Sequence, residues 1–168
     1  MMAIVFTGRV FSIDVEKVRL GDGREYQVET VRHSPSVVLL PMKDEGHVVL
    51  IRQFRHSIGR ELWELPAGSL DPGESAESTA ARECEEEIAL VPGRIERIRD
   101  VVPAPGFCDE VLIYFRLSDL RPPDPDSPHA PDEDEEIHAQ VFAIAEAKAM
   151  GSRGEIIDLK TLYGLTLI

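Results

Sequence analysis

Residues Gly68 to Leu90 read GSLDPGESAESTAARECEEEIAL, and the rest of the chain is arranged around them. Asp71-Pro72-Gly73-Glu74 has the chemistry of a tight turn, and Ser75 is placed to cap a helix that follows it. In that helix Glu83, Glu86 and Glu87 stand at i, i+3 and i+4, so their carboxylates share one face. Like charges at that spacing cost roughly a few tenths of a kcal/mol per pair. They also meet the negative end of the helix dipole. A solvated acidic face is the plain reading of such a run taken alone. The alternative is a metal face, because hard divalent cations such as Mg2+ take oxygen ligands. Ala76, Ala80, Cys84 and Ile88 recur at i, i+4 and form a stripe expected to pack inward.

Gly68 is followed by Glu74, Arg82-Glu83, Glu86-Glu87 and Leu90 at spacings that resemble the Nudix box. That motif reads Gly-x5-Glu-x7-Arg-Glu-apolar-x-Glu-Glu-x-Gly-apolar. Two positions depart from it: Cys84 takes the first apolar slot and Ala89 replaces the second glycine. Cysteine behaves as a small hydrophobe and fits the slot. Ala89 bears on the helix exit, where a Cβ at positive φ costs on the order of 1 kcal/mol. Arg82 is expected to pair with a box carboxylate and orient it.

The chain of 168 residues, with a hydrophobic fraction of 43%, is sized for one soluble domain with a small appendage. A net charge of −13 argues against nucleic acid as a partner, since phosphate backbones need a basic surface. The longest apolar runs, such as 36–42, are too short to span a bilayer, so no membrane role is expected. The first residues lack a basic n-region, and Cys84 and Cys108 make no disulfide framework. A cytoplasmic protein with reduced thiols is the expectation.

Residues 3–31 read as strands turning at Gly21-Asp22-Gly23, a small sheet that packs on the main domain or on a partner subunit. A second apolar hairpin, 36–42 with 47–52, turns around Lys43-Asp44-Glu45-Gly46. It leads into Arg52-Gln53-Phe54-Arg55-His56 and Arg60, a basic cluster in an acidic protein. Guanidinium forks match phosphate oxygens, so this is a candidate diphosphate clamp. Pairing with acidic surface groups is the competing explanation. Arg52-Gln53-Phe54-Arg55 followed by Trp63-Glu64-Leu65-Pro66-Ala67-Gly68 resembles the ADP-ribose pyrophosphatase branch of the Nudix family.

Residues 94–100 and 111–117 read as strands, separated by the stiff loop Pro103-Ala104-Pro105-Gly106-Phe107-Cys108-Asp109-Glu110. Pro105 falls fifteen residues beyond Leu90, where the resemblance places the proline that marks ADP-ribose pyrophosphatases. The same resemblance makes Gly106 and Glu110 substrate-loop residues. Residues 121–136, rich in proline and acid, read as a loop. The family carries a catalytic glutamate on such a loop just before the next strand, which selects Glu135, with Glu133 as the fallback. Ile137, Ala139 and Val141 then alternate as a strand, followed by a helix to about Met150 that Gly151 to Gly154 breaks. Ile156, Leu159, Leu162 and Tyr163 read as the packed face of a C-terminal helix.

The resemblance implies an α/β (α+β) Nudix fold, an α/β/α sandwich around a mixed sheet. It divides the chain into an N-terminal β segment, 1–35, expected to dimerise, and a Nudix hydrolase domain, 36–168. The implied reaction is hydrolysis of the diphosphate of ADP-ribose, a nucleoside diphosphate sugar, to AMP and ribose 5-phosphate. Other such sugars (GDP-mannose) are the alternative substrates, and a nucleotide-binding domain without catalysis is the alternative class. Glu83, Glu86 and Glu87, with the carbonyl of Ala67, would hold Mg2+, with Mn2+ as an alternative. Glu135 would act on the attacking water, while Arg55, Arg52 and Glu64 would serve the substrate. A homodimer is expected by the same likeness.

Overall fold

The computed structural model describes residues 3–124 and 137–168. Ten strands, three helices and a closing 3-10 turn at Leu165–Leu167 occupy these residues. The first three strands, β1 (Ala3–Thr7), β2 (Phe11–Arg19) and β3 (Glu25–His33), form their own antiparallel sheet. The β2–β3 hairpin turns at Gly21-Asp22-Gly23, with Gly23 at φ 88°. This sheet is tied to the main body through the loop at residues 102–111. There the Val31 N–H donates to Phe107 O at 2.7 Å, and Asp109 accepts from the backbone of His33 and from Arg32.

The main sheet runs β10-β5-β4-β9-β8, with β6 added to β5 and β7 added to β4. These strands are β4 (Ser36–Asp44), β5 (His47–Arg55), β6 (Arg60–Glu64), β7 (Ala67–Ser69), β8 (Arg94–Val101), β9 (Leu112–Ser118) and β10 (Ile137–Ala143). Only the β4–β9 pair along this path is parallel, so the sheet is mixed. The centre of β4 is apolar without alternation because it is buried on both faces. Val37 and Leu39 join the cluster under α1 (Ala76–Ile88), while Val38, Leu40 and Met42 join the opposite cluster. That opposite face is covered by α2 (Ile144–Arg153) and α3 (Leu159–Gly164). The result is helices on both faces of a mixed sheet.

The α1 stripe of Ala76, Ala80, Cys84 and Ile88 is buried against β4 and β9, as its spacing requires. Burial and the nearby charges of Glu85 and Glu87 push the Cys84 thiol up to about 12, so it is an inert core group.

The segment 60–64 is a strand, β6, with Arg60 opposite Arg55 and Trp63 opposite Arg52. Two local expectations are corrected. Gly151 does not break α2, which continues to Arg153 and ends at Gly154 with φ 77°. A Cβ at Gly151 would come within 2.8 Å of Leu162 Cδ2, so this glycine serves close packing on α3. Leu159 is 65% exposed and outside the packed face, to which Ile156, Leu162 and Tyr163 belong as expected, joined by Leu165. Glu135 and Glu133 lie outside the described residues.

Candidate active site

Ser75 caps α1, its Oγ accepting from Ser78 N at 3.1 Å. The helix therefore starts at a fixed point and carries Arg82, Glu83, Glu86 and Glu87 to its far end. Arg82 gathers the acidic face: its Nη1 donates to Glu83 Oε1 at 2.8 Å and to Glu86 Oε2 at 2.7 Å. Its Nη2 reaches Glu74 Oε2 at 3.3 Å and the carbonyl of Ser69 at the same distance. Burial disfavours the Arg82 charge, but its carboxylate partners prevail and raise its pKa. Burial opposes the Glu74 charge too, but hydrogen bonds from Arg82 and Thr79, with the Arg82 charge, together hold it below the usual carboxylate range. The pairing foreseen for Arg82 thus extends to three carboxylates.

Gly68 explains how close the acidic face comes to β7. A Cβ built there would lie 1.9 Å from Glu83 Oε1, so only glycine leaves room for the carboxylate. The next residue back, Ala67, donates its N–H to Glu87 Oε2 at 2.9 Å. Pro66 O accepts from Leu39 N at 2.8 Å and fixes the same turn on β4. The donor set of Glu83, Glu86, Glu87 and the Ala67 carbonyl is all hard oxygen and fits a divalent cation. In this structure the carboxylates converge on Arg82 and on the Ala67 N–H. Among the described residues no three acidic, His or Cys side chains close on a single point as ligands.

Beside this face lies Arg55. Its Nε and Nη2 each donate at 2.7 Å to Glu64, a carboxylate only 1% exposed. Lys160 of α3 pairs with the same Glu64, at the oxygen that Arg55 Nη2 also reaches. Burial opposes the Glu64 charge, but the Arg55 hydrogen bond and the Lys160 charge prevail and lower its pKa. The hydrogen bond to Glu64 raises the pKa of Arg55, and the charges of Glu87 and Asp158 are close enough to add to it. Arg55 and Glu87 are thus tied to the two ends of one short turn, 64–67.

Other expected residues lie elsewhere. Arg52 is three residues from Arg55 in one strand, so the two side chains leave opposite faces. Arg52 pairs with exposed Glu61 and stands 5.9 Å over the Trp63 ring. Glu110 Oε1 accepts from Ser36 Oγ at 2.8 Å, with His33 Nδ1 at 3.5 Å. Pro105 and Gly106 occupy an exposed turn in which the Phe107 and Cys108 N–H groups both bond Ala104 O.

This arrangement can hold a cation on one side and an anionic group on the other. The NUDIX domain model matches residues 32–159 of the chain. The chain belongs to the Nudix family. It is 33% identical over 161 residues to an ADP-ribose pyrophosphatase of Bacillus subtilis, covering 96% of this chain and 86% of that protein. An ADP-ribose pyrophosphatase of Mycobacterium tuberculosis is 36% identical over 163 residues, covering 96% and 78%. The solved structure of an ADP compounds hydrolase superposes with a TM-score of 0.86 at 20% identity, covering 99% and 89%. That last likeness speaks for the fold alone.

The sequence reading missed Asp158, Lys160 and Thr161 in this Nudix chain. Asp158 followed by Thr161 carries the signature of a helix cap, which Asp158 provides. Nothing local signals the contact of Lys160 with Glu64, ninety-six residues away in sequence.

Proposed function

We propose that this chain hydrolyses the diphosphate of ADP-ribose to AMP and ribose 5-phosphate, using Mg2+ or, in its place, Mn2+. Water adds to one phosphorus as the P–O bond to the bridging oxygen breaks, so each product keeps one phosphate. The observation that carries this reading is the turn 64–67, which holds Arg55 through Glu64 at one end and Glu87 through the Ala67 N–H at the other. A carboxylate face suited to a cation and a guanidinium suited to a diphosphate are thereby tied to one segment. The relatives named ADP-ribose pyrophosphatase, aligned over 96% of the chain, support the choice of substrate.

Glu83, Glu86 and Glu87, with the carbonyl of Ala67, would hold the cation. When bound, it neutralises phosphate oxygens that otherwise repel an incoming nucleophile. Arg82 orients the carboxylates, and Arg55 grips the diphosphate with Glu64 fixing its fork from behind. Arg52, on the other face of β5, serves the periphery of the substrate. Pro105, Gly106 and Glu110 contribute the loop that faces the nucleoside and sugar ends. Glu135 takes the proton of the attacking water.

Residues 1–35 act as a dimerisation segment joined to the hydrolase domain 36–168. In support, their sheet exposes Ile4, Val5, Phe6, Val10, Phe11 and Tyr26, a surface that a second copy would cover. The setting is the cytoplasm, in keeping with two free cysteines. Among the described residues no helix is long and apolar enough to cross a membrane.

The test is a panel of nucleoside diphosphate sugars incubated with Mg2+ or a chelator, with phosphatase added to count released phosphomonoesters. ADP-ribose should be cleaved fastest, and only with metal. Preference for GDP-mannose would move the assignment to another sugar nucleotide. No release from any substrate would make the chain a binding domain.

A further inference from the structure

The first turn of α3 is bonded to the turn that carries Ala67. Thr161 Oγ1 donates to Asp158 Oδ2 at 2.6 Å, which spends its proton and leaves its lone pairs for other donors. One of them accepts the Leu65 N–H at 2.7 Å. Thr161 and Leu65 are fully buried, so no water substitutes for that bond. Lys160 adds the ion pair to Glu64 and a second one to Asp158 at 2.9 Å. The carbonyl of Lys160 in turn accepts from Tyr114 Oη at 2.9 Å, which anchors α3 on β9. Gly164 lets the helix lie directly on the turn, because a Cβ there would fall 2.3 Å from Leu65 Cδ1.

Taken along the chain, four successive residues are each held by another element. Glu64 is held by Lys160 and Leu65 by Thr161, while Pro66 is held by Leu39 of β4 and Ala67 by Glu87 of α1. Apolar packing of Leu162, Tyr163 and Leu165 already fastens this end of the chain to the core. The polar contacts of Lys160 and Thr161 are directed elsewhere, at the segment between Arg55's partner and Ala67.

We propose that Thr161 is a positioning residue for the metal face, acting through the Leu65 N–H on the turn that presents Ala67. Lys160 completes the brace by holding Glu64, and with it the fork of Arg55. The C-terminal helix thereby sets the geometry of a site to which it contributes no ligand. This inference rests on the role given above to Ala67 and the α1 carboxylates. Its test therefore reads metal binding apart from hydrolysis.

Mn2+ binding to the full chain is measured without substrate, from the paramagnetic resonance signal of free Mn2+, alongside Tm. Thr161→Val keeps the shape and removes the acceptor. It should weaken Mn2+ binding about tenfold, the lower end of what loss of a partner behind a metal ligand costs. Thr161→Ser keeps the hydroxyl and should stay within about twofold of the parent. The metal concentration giving half-maximal hydrolysis should shift in parallel, with KM for ADP-ribose little changed.

A brace that only docked α3 would lower Tm and leave Mn2+ affinity of the folded protein untouched. That result for Thr161→Val overturns the inference. Should this variant not fold, Lys160→Gln decides, since its side chain lies nearer the surface. It should weaken Mn2+ binding about threefold, with Lys160→Arg restoring it, and unchanged affinity overturns the inference equally. A parent protein that binds Mn2+ but does not cleave ADP-ribose would overturn the functional reading instead, leaving the brace to the metal measurement.

Discussion

The two sheets of this protein treat their apolar side chains in opposite ways. The seven-stranded sheet buries both faces of β4, with Val37 and Leu39 under α1 and Val38 and Leu40 under the other helices. The three-stranded sheet leaves Ile4 and Val5 61% exposed and Phe6 and Phe11 partly so. A sheet covered on both sides gives a rigid platform, and the candidate chemistry lies where α1 meets its β7 edge. The small sheet's first strand is exposed on both faces and leaves apolar surface uncovered, which points to assembly. Substitutions on the first should change turnover, and substitutions on the second should change mass.

The largest effect is expected just ahead of β10. Glu135→Gln should lower kcat by roughly a hundredfold to ten-thousandfold and change KM little, the pattern of a lost general base. Glu133→Gln and Glu136→Gln should do much less, because a lone surface charge is worth little. Steady-state kinetics on the three variants checks this, and equal kcat values would remove Glu135 from the site. Next comes Gly68→Ala. The new Cβ would strike the end of a flexible side chain, so the Glu83 carboxylate swings aside and the fold survives. A fall in kcat of about tenfold to a hundredfold with Tm nearly unchanged is expected. A drop in Tm with intact kcat would make Gly68 a packing residue only.

On the open sheet, Ile4→Glu should halve the mass seen by light scattering at micromolar concentration. A parent that is already monomeric removes the homodimer. The smallest effect is at the exit of α1, where Ala89 sits at φ 54° and ψ 41° with its N–H on Glu85 O at 3.0 Å. Ala89→Gly should relieve the crowded Cβ, worth about 1 kcal/mol. For a chain of this length that raises Tm by roughly 2–4 °C, with kcat unaffected.

Much of the candidate site is legible in the sequence because its parts are local. The spacing of Glu83, Glu86 and Glu87 on a capped helix is a property of twenty-three consecutive residues. So is the strain at Ala89, which follows from a missing glycine. The apolar stripe of α1 and the buried run of β4 are equally local patterns. What escaped depends on distance in sequence or on parity. Arg52 and Arg55 looked like one basic cluster, but a strand sends residues three apart to opposite faces. Gly151 looked like a break, but its role is set by Leu162 on another helix. Lys160 and Thr161 carry no motif, and their partners Glu64 and Leu65 lie ninety-six residues away. Leu159 fits the helical stripe by spacing, yet α3 starts at that residue and leaves it in solvent.

The covered sheet matters because it presents the α1 carboxylates, and one substitution addresses that directly. Glu87→Gln keeps the size of the side chain and the acceptor for the Ala67 N–H, while it removes the charge. Turnover of ADP-ribose at saturating Mg2+ should fall at least about a hundredfold, as when a key electrostatic group is lost. Unchanged Tm would show that the fold is intact. Near-normal kcat at saturating Mg2+ would contradict the assignment of this face to the chemistry.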